Sequence, residues 1–168
     1  PNTLKMKKSI SLIGMAGAGK SSIGKELAKH LNFKFIDSDK LIEAINNKSL
    51  QEILDERGND EFKKIEEAAL MSVKFNQTIL ATGGSAIFSK DAMSYIKNNS
   101  SVIFIEVSLK EILNRISNFS DRGFVKATEQ TIQQAFYERE DIYRGFADHI
   151  VTNNSDLESC FKEILRII

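Results

Sequence analysis

The sequence predicts an α/β fold of three layers, α/β/α, in which a five-stranded parallel sheet carries helices on both faces. Three observations predict it. Five short apolar, β-like runs alternate with segments of helical 3–4 spacing along the 168 residues. The stretch Gly14-Met15-Ala16-Gly17-Ala18-Gly19-Lys20-Ser21 fits the phosphate-loop pattern G-x-x-x-x-G-K-[ST], and it lies between a strand and a helix as that pattern requires. Every strand is followed by polar or glycine-bearing residues, which right-handed crossovers would gather at one edge of the sheet.

The elements follow in order. Ser9 to Ile13 reads as the first strand, with Ile10, Leu12 and Ile13 apolar. After Ser21, the spacing of Ile23, Leu27, Ala28 and Leu31 predicts a helix over 20–31, with Lys25, Glu26 and Lys29 on its polar side. Residues 33–36 form a second strand, and helical patterns run over 39–57 and 60–75. A third strand at 78–81 leads to a helix near 89–98. A fourth at 102–107 leads to helices near 108–117 and 128–144. The last strand is 149–152 and the last helix 155–167. One domain is expected over 1–168. Residues 1–5 are expected to be a disordered or appended terminus before a natural start at Met6.

Composition narrows the function classes. Acidic and basic residues balance at 23 each, so bulk charge gives no argument for nucleic acid or an anionic membrane. No apolar run approaches the length of a membrane span. Met6-Lys7-Lys8 and the apolar residues after it imitate a secretory signal, but cleavage near Ala18 would destroy a complete phosphate loop, and Ser9 and Ser11 interrupt the run. The single cysteine, Cys160, lies on a helical stripe with Leu157, Phe161 and Ile164 and reads as a buried structural thiol in a reducing cytoplasm. His30 and His149 are isolated and lack metal-ligand spacing.

The chemistry sits after the strands. Gly14, Gly17 and Gly19 let successive backbone N–H groups converge on phosphate oxygens. Lys20 supplies charge for the β/γ-phosphates, and Ser21 offers a hydroxyl to Mg²⁺. Asp37 and Asp39 share period-2 spacing at a strand end. One would help hold Mg²⁺ while the other orients, and takes a proton from, a substrate hydroxyl; helix capping explains such a pair equally well when it is taken alone. Gly83-Gly84-Ser85 allows close approach of a substrate or the γ-phosphate, or makes an ordinary turn. Arg115 and Arg122 flank a polar stretch that would cover a nucleotide as a mobile lid over about 115–127. Arg139 could grip a carboxylate in a bidentate fork, yet from spacing alone it reads as pairing with Glu138, Glu140 and Asp141 on a solvated face.

Taken together, these motifs resemble the shikimate kinase family over nearly the whole chain, a P-loop kinase fold related to nucleoside monophosphate kinases. The residues that carry the resemblance are the loop 14–21, Asp37-Ser38-Asp39 followed by Ile42-Glu43, Ala81-Thr82-Gly83-Gly84, Arg115, Arg122, Glu138-Arg139 to Tyr143, and Ala147-Asp148-His149-Ile150-Val151. The resemblance implies an enzyme that transfers a phosphoryl group from Mg²⁺-ATP to the 3-hydroxyl of shikimate, in chorismate and aromatic amino-acid biosynthesis. It implies that Gly14, Gly17, Ala18, Gly19, Lys20, Ser21 and Ser22 hold the phosphates. Arg115 would stack on adenine and Asn153 and Asn154 would border it. Lys20, Asp39 and Arg122 would act in catalysis, and Ser21 and Asp37 at the metal. Asp39, Lys63, Gly83, Gly84 and Arg139 would bind shikimate on helices within about 39–75 and beyond. A cytoplasmic monomer is expected.

Four departures from the family pattern stand out. Ser85 replaces a third glycine, Gly123 replaces the proline after the lid arginine, and Asp141 replaces the proline after the substrate arginine. Lys63 replaces the arginine of a Phe-Arg carboxylate binder, keeping the charge and losing the planar fork. Either Lys63 or Lys64 is expected at that place. These changes keep open a related kinase with another hydroxy-acid acceptor, or a nucleotide-binding pseudoenzyme that regulates a partner.

Overall fold

A computed structural model describes residues 9–116 and 131–168. Five parallel strands form one sheet in the order β2-β3-β1-β4-β5: β1 is Ser9–Ile13, β2 Lys34–Asp37, β3 Thr78–Ala81, β4 Ser100–Glu106 and β5 His149–Thr152. Seven helices lie among the described residues: α1 Lys20–Leu31, α2 Ser38–Asn46, α3 Leu50–Met71, α4 Lys90–Asn99, α5 Leu109–Ile116, α6 Ile132–Phe146 and α7 Leu157–Ile167. A 3₁₀ turn, Ala86–Phe88, precedes α4. The helices cover both faces; α1 packs on α7, and α3 on α4. None of the described helices is long and apolar enough to cross a membrane.

The central strands β1 and β3 are buried along their whole length, which explains their near-continuous apolar character. Their polar members are satisfied: Ser11 and Ser100 share a 2.7 Å hydrogen bond, and Ser9 Oγ accepts from Thr78 N at 2.9 Å. Helices α2 and α3 enclose a smaller core of Ile42, Leu50, Ile53, Phe62 and Ala69, separate from the core around the sheet.

The structure corrects the expected helix over 39–57. Asn47 adopts a left-handed conformation (φ 55°) and its N–H closes on Glu43 O, ending α2. Ser49 then opens α3 with a capping box to Glu52. The break expected at 58–59 survives only as a kink at Gly58 (φ 81°, ψ 172°) inside α3. The second strand also ends later than expected, at Asp37, and α2 begins at once with Ser38. Asp39 is therefore helical, and its relation to Asp37 is not the alternation of a strand. Arg122 and most of the expected lid lie outside the described residues.

Candidate active site

Strand register sets the layout. Leu12 pairs with Ala81, and Ala81 with Asp37, so the segments leaving β1, β3 and β2 emerge side by side at one edge. The phosphate loop leaves β1 at Gly14, whose φ of +148° suits glycine; a Cβ there would stand 2.7 Å from the Ile105 carbonyl oxygen on β4. Gly19 caps α1 in a left-handed conformation without a side-chain cap, so the first-turn N–H groups are left for an anion. Lys20 is buried, and its ammonium donates to the Gly14 and Met15 carbonyls at 2.7 Å each. Burial pushes the Lys20 pKa down to about 8, against the pull of Asp39 and Asp37. Ser22 is exposed on the first turn of α1, and Ala18 is buried under the loop.

Beside the loop, Ser21 Oγ donates to Asp37 Oδ2 at 2.6 Å. The other Asp37 oxygen accepts from Asp39 N at 3.0 Å and Lys40 N at 3.4 Å. Asp37 thus caps α2 and meets the Ser21 hydroxyl with the same carboxylate, so capping does not exclude a role beside the phosphate loop. A hydroxyl and a carboxylate oxygen side by side suit a hard cation such as Mg²⁺. Among the described residues no group of three or more His, Cys, Asp or Glu could hold a metal by itself, so the fit is to a metal carried largely by phosphate oxygens. Half-buried Asp39 has its pKa raised by burial first and by the Asp37 charge second.

A second group of polar side chains gathers at the glycines that follow β3. A Cβ on Gly83 would stand 2.6 Å from Asp39 Oδ1 and 2.9 Å from Glu66 Oε2, so both carboxylates face this glycine. A Cβ on Gly84 would stand 3.1 Å from Arg139 Nη1 and 3.4 Å from Ala16 N, which puts Gly84 between the phosphate loop and the Arg139 guanidinium. Tyr143 stacks on Phe104 at 5.1 Å, and its hydroxyl donates to the Gly84 carbonyl at 2.6 Å. Burial pushes the Tyr143 phenol well above its ordinary value, so the group stays a donor. Lys63 is exposed; its ammonium lies 4.9 Å from the Phe88 ring centre, and the Arg139 guanidinium lies 5.3 Å from the same ring. Lys63 and Arg139 thus share one aromatic neighbour, Phe88.

On the far side of the loop, Arg115 donates to the Gly17 carbonyl at 3.0 Å, to the Asn153 carbonyl at 2.7 Å and to Glu111 at 2.9 Å. Its guanidinium ties the phosphate loop to the segment after β5. Asn153 is buried and donates to the Ala18 carbonyl at 2.8 Å, while exposed Asn154 accepts from Ser108 N at 2.7 Å. Of the two asparagines, Asn153 braces the phosphate loop and Asn154 braces the start of α5.

Three residues depart from the sequence reading. Spacing put Arg139 on a solvated face, but it is 1% exposed, on a buried stripe with Ala135, Phe136 and Tyr143. From the sequence Glu66 has no role, and Tyr143 enters only as the end of the segment from Glu138-Arg139. Glu66 is 2% exposed, accepts from Ser85 Oγ at 2.7 Å, and its other oxygen has no hydrogen-bond partner. Burial raises its pKa to about 7. The signal was available: Glu66 interrupts the α3 stripe of Phe62, Ala69 and Leu70, where a charge is costly unless it has a task.

The chain is similar to known proteins over nearly its whole length. A family model described as "Shikimate kinase" matches residues 16–168. A shikimate kinase of Clostridium botulinum (strain Eklund 17B / Type B) is 38% identical over 164 residues, 97% of this chain and 98% of that protein. One from Francisella tularensis subsp. novicida is 38% identical over 152 residues, 88% of this chain and 86% of that protein. Among solved structures, shikimate kinase from Acinetobacter baumannii in complex with shikimate superposes with a TM-score of 0.87 at 26% identity, covering 99% of this chain and 95% of the other. Shikimate kinase from Aquifex aeolicus superposes with a TM-score of 0.80 at 28% identity, covering 94% of each.

Proposed function

Since the chain belongs to the shikimate kinase family and has that family's activity, a step of aromatic amino-acid biosynthesis, we infer that the two pockets divide the reaction between them. ATP would place its phosphates in the loop 14–21, and shikimate would lie beside Gly83 and Gly84. The observation that carries this reading is the meeting of Lys20, Asp39 and Arg139 across those two glycines.

The chemistry follows from the groups present. The 3-hydroxyl oxygen attacks the γ-phosphorus, the bond to the bridging β–γ oxygen breaks, and the hydroxyl proton passes to Asp39. A carboxyl whose pKa is raised by burial is a better proton acceptor than an ordinary aspartate. Lys20 would leave the Gly14 and Met15 carbonyls for the β/γ-phosphates, so its charge meets the transferring group in a water-poor setting. Arg139, with Lys63 near it, would receive the shikimate carboxylate. Ser21 and Asp37 would hold Mg²⁺, which neutralises phosphate charge when bound. A monomer is the oligomeric state proposed, and buried Cys160 suits a reducing cytoplasm.

The test is coupled ADP release with shikimate and Mg²⁺-ATP, for the chain and for Lys20→Ala. Robust turnover that falls by about 10²-fold or more in the variant, with circular dichroism unchanged, is the expected result. A merely mild loss would contradict the role given to Lys20, and another hydroxy acid outperforming shikimate would contradict the acceptor.

A further inference from the structure

The acceptor pocket contains a hydroxyl with a task of its own. Glu66 and Asp39 both face Gly83, and like charges so placed repel. Glu66 has room to yield: a cavity of about 120 Å³, lined by Lys63, Lys64, Glu67 and Phe88 among others, opens beside it. Rotation into that space would bring the Glu66 carboxylate toward two lysines and take it out of the pocket. One contact opposes this. Ser85, 4% exposed, donates to Glu66 Oε1 at 2.7 Å and leaves Oε2 turned toward Gly83. Lys63 does not substitute for it, since its ammonium lies over Phe88 and makes no ion pair with a described residue.

We propose that Ser85 is a positioning residue for the acceptor: its hydroxyl holds Glu66 against Gly83, between Asp39 and Arg139, and so fixes the charge pattern that shikimate meets. A glycine at this position could not make the contact. The serine and Lys63 then form a matched pair, in which a buried hydroxyl orients the glutamate and the exposed lysine is left to the substrate. The charged groups around Glu66 are Asp39 from α2, Lys63, Lys64 and Glu67 from α3 and Arg139 from α6. This inference rests on the acceptor lying beside Gly83 and Gly84.

The experiment is a cycle of Ser85→Ala and Glu66→Met, singly and together, read as KM for shikimate, KM for ATP and kcat, with melting temperatures alongside. Ser85→Gly serves as the second variant should alanine disturb the turn. Loss of a hydrogen bond to a buried charge should raise the shikimate KM about tenfold while the ATP KM and kcat stay within about twofold. In the Glu66→Met background the serine change should add less than about twofold, because there is no acceptor oxygen left for the hydroxyl to hold. An unchanged shikimate KM, or the same tenfold effect in both backgrounds, overturns the proposal. Arg139→Lys separates the two levels. If it leaves the shikimate KM alone, the acceptor placement itself is wrong. If it raises that KM and Ser85→Ala does not, only the role of Ser85 fails.

Discussion

Adding one methyl group at Gly83 tests the acceptor pocket most directly. Gly83 has no left-handed backbone, so alanine brings no conformational strain there. The new Cβ would stand 2.6 Å from Asp39 Oδ1 and 2.9 Å from Glu66 Oε2. To reach ordinary contact, each carboxylate tip must retreat by about 0.5–0.8 Å. Both atoms end flexible side chains, so the fold can yield at small cost, below the ~1–3 kcal/mol usual for an overpacked core. For a chain of this size that is a fall of no more than a few degrees in melting temperature.

The reaction has less tolerance. Displacing Asp39 weakens a hydrogen bond between a charged group and the attacking hydroxyl, worth about 1.5–3 kcal/mol, or roughly 10–150-fold in kcat/KM. A misplacement approaching 1 Å costs a similar factor by the geometric route. Steady-state kinetics of Gly83→Ala with shikimate varied at saturating Mg²⁺-ATP should show that loss, with the ATP KM nearly unchanged. A kcat/KM for shikimate within twofold of the parent would refute the placement of the two carboxylates. A fall of more than about 10 °C in melting temperature would refute the claim that only side-chain tips must move. Gly14 is a different case, because its Cβ would meet the Ile105 backbone oxygen, which cannot swing aside.

Two further outcomes follow from the same pocket. Lys63→Arg supplies a planar fork beside Arg139 and should lower the shikimate KM about three- to tenfold without moving the ATP KM; equal effects on both would show that this residue does not meet the carboxylate. Burial raises Glu66 from 4.5 to about 7, so between those values the folded chain keeps a proton that the unfolded chain has released. Its contribution to stability is full below about 4.5 and is lost as pH rises through about 7, so the melting temperature of the chain relative to Glu66→Gln should fall between pH 5 and 8, and a constant difference would refute the burial argument.

Local pattern was enough for the elements around the phosphate loop. The phosphate loop, α1 and the strands 78–81 and 149–152 lie where periodicity and motif put them, because each is specified by neighbours in sequence. The break at Asn47 escaped that reading because apolar spacing continues across it, and only the Ser49 and Glu52 capping signature marks the new start.

The acceptor half was harder for a physical reason. Arg139 on α6 and Glu66 on α3 are each nearly fully buried, and each sits on its own helix's apolar stripe. Taken one helix at a time, a charge on such a stripe looks like an error or a solvated face. The burial becomes tolerable only when the two helices meet, since the Arg139 charge lowers the pKa that desolvation raises at Glu66, and Ser85 and Tyr143 supply neutral partners around them. That compensation is tertiary, and no window of one helix contains it. Opposite charges interrupting the buried stripes of two separate helices are therefore informative as a pair, and here they flank the glycines beside which the acceptor is proposed to lie.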